Sequence, residues 1–131
     1  MIDATALSGL LEAVQRYFDL MYDADLSGFD GVFAPTAQLH GFRDGQLTMW
    51  PAAHYREVMA GRPAPRALGA PRAEEVLAVD LASDRQAVVK LRVRINDVVF
   101  VDQLSYHRTD AGWRVTAKSY HVEQRLPSAP A

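Results

Sequence analysis

The stretch "NDVVFVDQLSYHR", Asn96 to Arg108, decides the fold, because it sets a carboxylate inside an apolar strand. Val98, Val99, Phe100 and Val101 lead straight into Asp102, then Gln103 and Leu104. β-Branched and aromatic residues at this density fit a strand. A tight turn at Asn96-Asp97 precedes it and a turn at Thr109-Asp110-Ala111-Gly112 follows. An ionised Asp in a buried strand is costly unless it is paired or gives up its charge.

The segments on both sides are strands as well. "RQAVVKLRVRI", 85–95, alternates, with Ala87, Val89, Leu91, Val93 and Ile95 on one face and Lys90, Arg92 and Arg94 on the other. "AEEVLAVDLA" precedes it across a turn at Ser83-Asp84, and "WRVTAKSYHVE" comes after the opening stretch. This half of the chain is a long-stranded antiparallel meander.

The first half is helical at both ends and stranded between. From about Asp3 to Tyr22, Leu7, Leu10, Leu11, Val14, Phe18 and Met21 recur at helical spacing, with Tyr17 beside the stripe. Asp25 is a suitable N-cap for a second, short helix that buries Leu26, Phe29, Val32 and Phe33. Gly28 and Gly31 weaken that helix, and Pro35 is expected to stop it. "TAQLHGFRDGQLTMW" reads as two strands around Arg43-Asp44-Gly45-Gln46. Pro51 then opens the helix "PAAHYREVMAG", which Gly61 closes. Arg62 to Arg72 carries three prolines and a glycine and is expected to be a surface loop, a mobile lid or a dimer contact. Helices segregated onto one face of an antiparallel sheet give an α+β domain over 1–125, with 126–131 as a frayed tail.

Composition narrows the function. The chain has 131 residues, a net charge of -2 and 49% apolar residues, the profile of one globular domain. That charge gives no reason to expect a nucleic-acid or anionic membrane partner. No cysteine is present, so disulfides, thiolate nucleophiles and Cys-ligated zinc are excluded. No basic leader opens the chain and no run is long enough to span a bilayer, so a cytoplasmic protein is expected.

Alternation then assigns the faces. Val98, Phe100, Asp102, Leu104 and Tyr106 form one set in the opening strand. In the last strand Trp113, Val115, Ala117, Ser119 and His121 form one set, and Arg114, Thr116, Lys118 and Tyr120 the opposite one. The sets with Phe100, Trp113 and Val115 hold the largest hydrophobes and are assigned inward. Asp102 then points toward the helices, and His121 with it. An inward Asp should have its ionised form disfavoured, and a protonated acid can donate to a developing oxyanion. The alternative is an Asp satisfied by Tyr17, a Trp indole N–H or an arginine, serving packing alone.

With these residues placed, the chain resembles the nuclear-transport-factor-2-like superfamily, the cone-shaped α+β fold of ketosteroid isomerases and SnoaL-like cyclases. Within it, the likeness is to the group called putative lumazine-binding proteins. It covers about Leu7 to Val122 and rests on "RYFDLMYDADLSGFDGVFAPTAQLHG", "HYREVMAGRPAP" and "VFVDQLSYHRTDAGWRVTAKSYH". The resemblance implies a curved antiparallel sheet with helices packed on its concave face. It places the isomerases' oxyanion-hole tyrosine on Tyr17 and their protonated aspartate on Asp102. The handling of that aspartate as a neutral donor is a known example from those isomerases. Their general base falls where this chain has Gly41, with His40 beside it, so the oxyanion pair survives and the base does not.

His40, at a strand end, and His121 are therefore the expected proton carriers near neutral pH, each against the alternative of a structural histidine. His54 and His107 read as surface residues, and no spacing fits a metal site. Phe33, Met49, Trp50, Tyr55, Met59, Phe100 and Trp113 are candidates to line an apolar ligand pocket, or else plain core. The outer sheet face mixes Val99, Val101, Thr116 and Tyr120 with arginines, and a homodimer through it is expected, as the superfamily implies. The expected function is a small-molecule-binding protein acting as a cofactor-free isomerase, cyclase or lyase on a hydrophobic or cyclic carbonyl compound. The competing expectation is a non-catalytic binding or dimerisation module in which Tyr17 and Asp102 are structural.

Overall fold

A computed structural model describes residues 2–127; the expected tail beyond 127 lies outside the described residues. Helix α1 runs Ala4–Asp23, starting where the Asp3 carboxylate accepts from Ala6 N–H and ending at Ala24 in a left-handed conformation. A 3₁₀ helix follows over Leu26–Gly31, capped by Asp25. Strands β1 (Phe33–Arg43) and β2 (Gln46–Pro51) form a hairpin. Both Asp44 and Gly45 have positive φ in its turn, which matches the strand twist. Helix α2 spans Ala52–Gly61, and a single turn α3 spans Pro65–Leu68. The meander is β3 (Glu74–Leu81), β4 (Gln86–Ile95), β5 (Val98–Thr109) and β6 (Gly112–Arg125).

The six strands form one curved, open sheet in the order β2-β1-β6-β5-β4-β3. All pairs are antiparallel except β1 with β6, which run parallel. That exception follows from topology, because β6 returns to the middle of the sheet beside a strand from the other half. The helices cover one face, and the core lies between them and the sheet. Among the described residues no helix is long and apolar enough to cross a membrane.

Several expectations about single residues are corrected. The buried stripe of α1 is Ala6, Leu10, Ala13, Val14, Tyr17, Phe18, Leu20 and Met21, while Leu7 and Leu11 are exposed. Two alanines on the buried side let the helix lie close to the sheet, and the rotation brings Tyr17 fully inward. Phe33 belongs to β1, not to the short helix, and Pro35 lies within that strand. The segment after α2 contains the turn α3, which Gly69 closes in a left-handed conformation. Leu126, expected to fray, donates its N–H to the Asp97 carbonyl at 2.7 Å.

The largest correction concerns β6. Tyr106 pairs with Val115 but Ser105 pairs with Ala117, so Thr116 is an extra residue, a β-bulge. Simple alternation fails across it. Trp113 and Val115 face inward as expected, but beyond the bulge Lys118 and Tyr120 turn inward and Ala117, Ser119 and His121 turn out. Deleting Thr116 removes the extra residue, so Val115, Ala117 and Lys118 alternate without a break and Lys118 and Tyr120 should stay inward. The expected outcome is that the deletion, like Thr116→Ala, keeps a cooperative urea unfolding transition.

Candidate functional site

Asp102 lies in the middle of β5, 1% exposed, as the alternation predicts. The Tyr17 hydroxyl of α1 donates to Asp102 Oδ2. Lys118, 5% exposed, sets its Nζ 3.7 Å from the same oxygen. Lys118 is cross-strand to Leu104 and so diagonal to Asp102, close enough for a long side chain. Asp102 Oδ1 has no protein donor. A phenol and an ammonium thus meet one carboxylate oxygen, Oδ2, together. Among the described residues, neither a tryptophan nor an arginine forms a hydrogen bond or ion pair with it.

The network extends from Lys118 toward solvent. Its Nζ lies 3.5 Å from the Tyr55 hydroxyl and sits over the rings of Tyr55 (4.8 Å) and Tyr17 (5.2 Å). Cations placed over aromatic faces are attracted by the ring quadrupole, more so when desolvated. Arg62, just past α2, donates to the Tyr55 hydroxyl at 3.2 Å. That hydroxyl also contacts the Met21 sulfur at 3.4 Å.

The two phenols are driven in opposite directions. Burial and then the Asp102 carboxylate push Tyr17 well above the usual phenol value, so it stays a hydrogen-bond donor. Burial also opposes ionisation of Tyr55, but the Lys118 ammonium and Arg62 guanidinium outweigh it and hold Tyr55 below the usual phenol value.

A narrow cleft, open to solvent, lies beside this network, lined by Arg43, Trp50, Tyr55, Arg62, Ile95, Phe100, Lys118 and Tyr120. Trp50 stacks near Tyr55, with centroids 6.2 Å apart, and Phe100 meets Tyr120 edge-on at 6.3 Å. Arg43 covers one side, its guanidinium 4.1 Å from the Trp50 ring centroid and its Nε 3.2 Å from the Tyr120 hydroxyl. Trp50, Tyr55 and Phe100 therefore line the cleft. Phe33 and Met59 are buried in the core, Met49 is exposed, and Trp113 packs under α1 against Gly9.

The histidines go elsewhere. His40 is exposed on the outer face of β1, because Leu39 and Gly41 take the inward positions, and no bulge near Gly41 brings it back. His121 is exposed beyond the Thr116 bulge. Neither can reach the cleft from there. The place of the absent base at Gly41 is also explained: a Cβ there would stand 2.2 Å from the Tyr120 ring. Tyr120 occupies the volume that a side chain at 41 would need. Lys118 and Tyr120 are the residues that sequence reasoning missed. The only signal was the Lys118 ammonium itself, one of two lysines in the chain, set in a strand otherwise read as polar on that side. Among the described residues no group of three or more His, Asp or Glu is placed to hold a metal ion.

The model of the family described as "Putative lumazine-binding" matches residues 5–121, nearly the whole chain. The chain belongs to the putative lumazine-binding family. Solved structures agree on the fold of this family member. A nuclear-transport-factor-2-like protein of unknown function from Shewanella baltica is 19% identical, with a TM-score of 0.81 over 95% of this chain and 98% of that one. A similar protein from Silicibacter pomeroyi is 16% identical, with a TM-score of 0.78 over 94% and 100% of the two chains. A ketosteroid isomerase-like protein from Erwinia carotovora atroseptica is 12% identical, with a TM-score of 0.72 over 93% and 99%. A search of curated proteins finds no match. Family and fold together make this a small-molecule-binding domain on a nuclear-transport-factor-2-like cone.

Three outcomes check the site. Lys118→Met leaves Asp102 buried with Tyr17 alone and should cost about 3–5 kcal/mol in urea denaturation, a loss that adding Asp102→Asn partly restores. Gly41→Ala should displace the Tyr120 ring and cost about 1–3 kcal/mol by the same measurement. In an ultraviolet titration Tyr55 should ionise at lower pH than an ordinary phenol, and Tyr55→Phe should remove that step. The depressed value means that, between the folded and the unfolded value, the folded chain holds fewer protons on this group than the unfolded chain. Its stabilising contribution therefore grows as pH rises through the folded value and is lost below it.

Proposed function

We propose that this protein is a cofactor-independent enzyme of the isomerase, cyclase or lyase type, acting on a hydrophobic or cyclic carbonyl compound in the aromatic cleft. The observation that carries the reading is the Tyr55 hydroxyl on the cleft wall, between Lys118 at 3.5 Å and Arg62 at 3.2 Å. A phenol flanked by two cations exchanges a proton more readily than an ordinary one. The same cations stand where charge would develop on a carbonyl oxygen. With its hydroxyl proton lost to solvent, the Tyr55 phenolate takes the proton from the carbon beside the carbonyl, becoming the phenol, and returns it, to that carbon or to another. Lys118 and Arg62 stabilise the intervening enolate.

Tyr17 and Asp102 act in this proposal through Lys118. The Tyr17 hydroxyl is engaged by Asp102, and neither residue lines the cleft. They hold the ammonium in place and keep its Nζ at the cleft floor. The likeness to a ketosteroid isomerase-like structure supports the reaction class and no substrate.

A second copy of this chain is the proposed cover for the outer sheet face. Phe42 and Leu47 are directly opposite one another there, 68% and 67% exposed, with Met49 opposite His40 beside them. Sedimentation as a monomer at micromolar concentration rejects that assembly.

Catalysis is tested by following deuterium from solvent into 2-cyclohexenone by NMR. The protein should accelerate exchange over buffer, and Tyr55→Phe should slow it by about 10²–10⁴-fold. A wild-type rate equal to buffer, or an unchanged Tyr55→Phe rate, leaves the non-catalytic binding module as the function.

A further inference from the structure

We propose that residues 62–72 form a lid over the Tyr55–Lys118 network, fastened to α1 around Tyr22, which opens as a unit to uncover that site. The device governs access and does not depend on the chemistry done there. In the closed form the network is sealed, with Tyr55 3% and Lys118 5% exposed. The cleft beside them leaves room for about one water molecule. Arg62, the first residue of the segment, makes the seal, because it lines the cleft and donates to the Tyr55 hydroxyl at 3.2 Å. Moving Arg62 away frees that hydroxyl and widens the way to Lys118.

The segment is fastened at its rim and has little core of its own. Pro65 is the only residue in it that is buried. Pro65 opens the turn α3 and Gly69, in a left-handed conformation, closes it, which stiffens the middle of the segment. The fastenings are polar. On the α1 side, the Tyr22 hydroxyl donates to the Ala70 carbonyl at 2.9 Å. Arg66 pairs with Asp23 and Arg72 with Asp19, each at 2.6 Å. Both guanidiniums stand over the Tyr22 ring, at 5.4 and 5.1 Å. On the sheet side, Asn96 Nδ2 donates to the Pro63 carbonyl at 3.1 Å. Exposed ion pairs contribute little, so a segment held this way opens at lower cost than the core.

The closed form also carries a cost at the Arg62 end. Arg62 Nε and Asn96 Oδ1 are both buried without a hydrogen-bond partner, one on the lid and one on the residue that grips Pro63. Buried polar groups left unmet cost free energy, and protein interiors rarely keep them. Opening gives both atoms to water. The contacts around Tyr22 therefore hold the lid shut against that cost, and loosening them should shift the balance toward the open form.

Amine labelling tests the lid, because the chain has two lysines, Lys90 exposed on β4 and Lys118 under the lid. The full chain is acetylated with an N-hydroxysuccinimide ester, and the rate at each lysine is read by peptide mass spectrometry. When labelling is slow against closing, the Lys118 rate follows the open population. In the wild type it should fall well below the Lys90 rate. The double variant Tyr22→Phe, Arg66→Gln loosens the α1 fastening without removing a buried side chain. It should raise the Lys118 rate about two- to tenfold, with Lys90 unchanged. Val89→Ala, a core change in β4, should not raise it. Equal rates at the two lysines of the wild type overturn the proposal, as does a Lys118 rate unchanged in the double variant. So does Val89→Ala raising the rate as much as the double variant, since exposure then comes from unfolding of the whole domain. None of these readouts involves turnover, so an absence of exchange into 2-cyclohexenone leaves them unaffected.

Discussion

The Asp102–Lys118 ion pair, capped by the Tyr17 hydroxyl, is the constraint around which the rest of the structure is arranged. Both charges are taken almost wholly out of water. A pair of this kind is worth little as net stability, yet breaking it by removing one partner is severe. Each neighbouring element therefore has to deliver its member accurately. Helix α1 rotates so that Tyr17 rather than Leu7 or Leu11 faces the sheet. Strand β6 takes in Thr116 so that Lys118 turns inward opposite β5. Strand β1 keeps Gly41 bare so that Tyr120, turned in by the same bulge, has room for its ring.

That arrangement converts an ordinary core into a graded site. At the bottom, Asp102 and Tyr17 hold Lys118 in place; above them Lys118 and Arg62 hold the Tyr55 phenol; at the mouth Arg43 lies over Trp50. Charge goes from a neutralised pair in the interior to uncompensated guanidiniums at the opening. The low dielectric of the interior strengthens each of these interactions and makes an unpaired polar atom costly. Arg62 Nε and Asp102 Oδ1 are two such atoms, one a donor and one an acceptor. They mark the ends of the network where a bound molecule or water has most to contribute.

The resemblance to ketosteroid isomerases drawn from the sequence is informative where it stops, since it implies their tyrosine and aspartate positions and no base position. Here the aspartate faces a lysine, so the phenol–carboxylate pair is engaged with a cation. The acid–base role in the proposed chemistry then passes to Tyr55, on a different element. A single bulge and a single glycine thus decide which side chains this cone holds around its buried acid.

Much was legible from residue order alone. Periodicity gave α1, the hairpin, α2 and the β3–β6 meander, because burial on one face imposes a period on sequence wherever an element is regular. The same logic placed Asp102 inward and Trp50, Tyr55 and Phe100 as candidate lining. It failed at His121, Lys118 and Tyr120 for one reason. A bulge inserts one residue, and a period of two then reports the wrong face for everything beyond it. Nothing local distinguishes Thr116 from its neighbours; the register of β5 against β6 and the cost of leaving Asp102 unpaired select it. His40 shows the converse, since regular alternation past Gly41 turned it outward as simple alternation predicts. The sequence by itself determined the elements, the fold class and the buried acid. Only the tertiary structure decided that acid's partner, because pairing depends on which strand lies alongside and in what register.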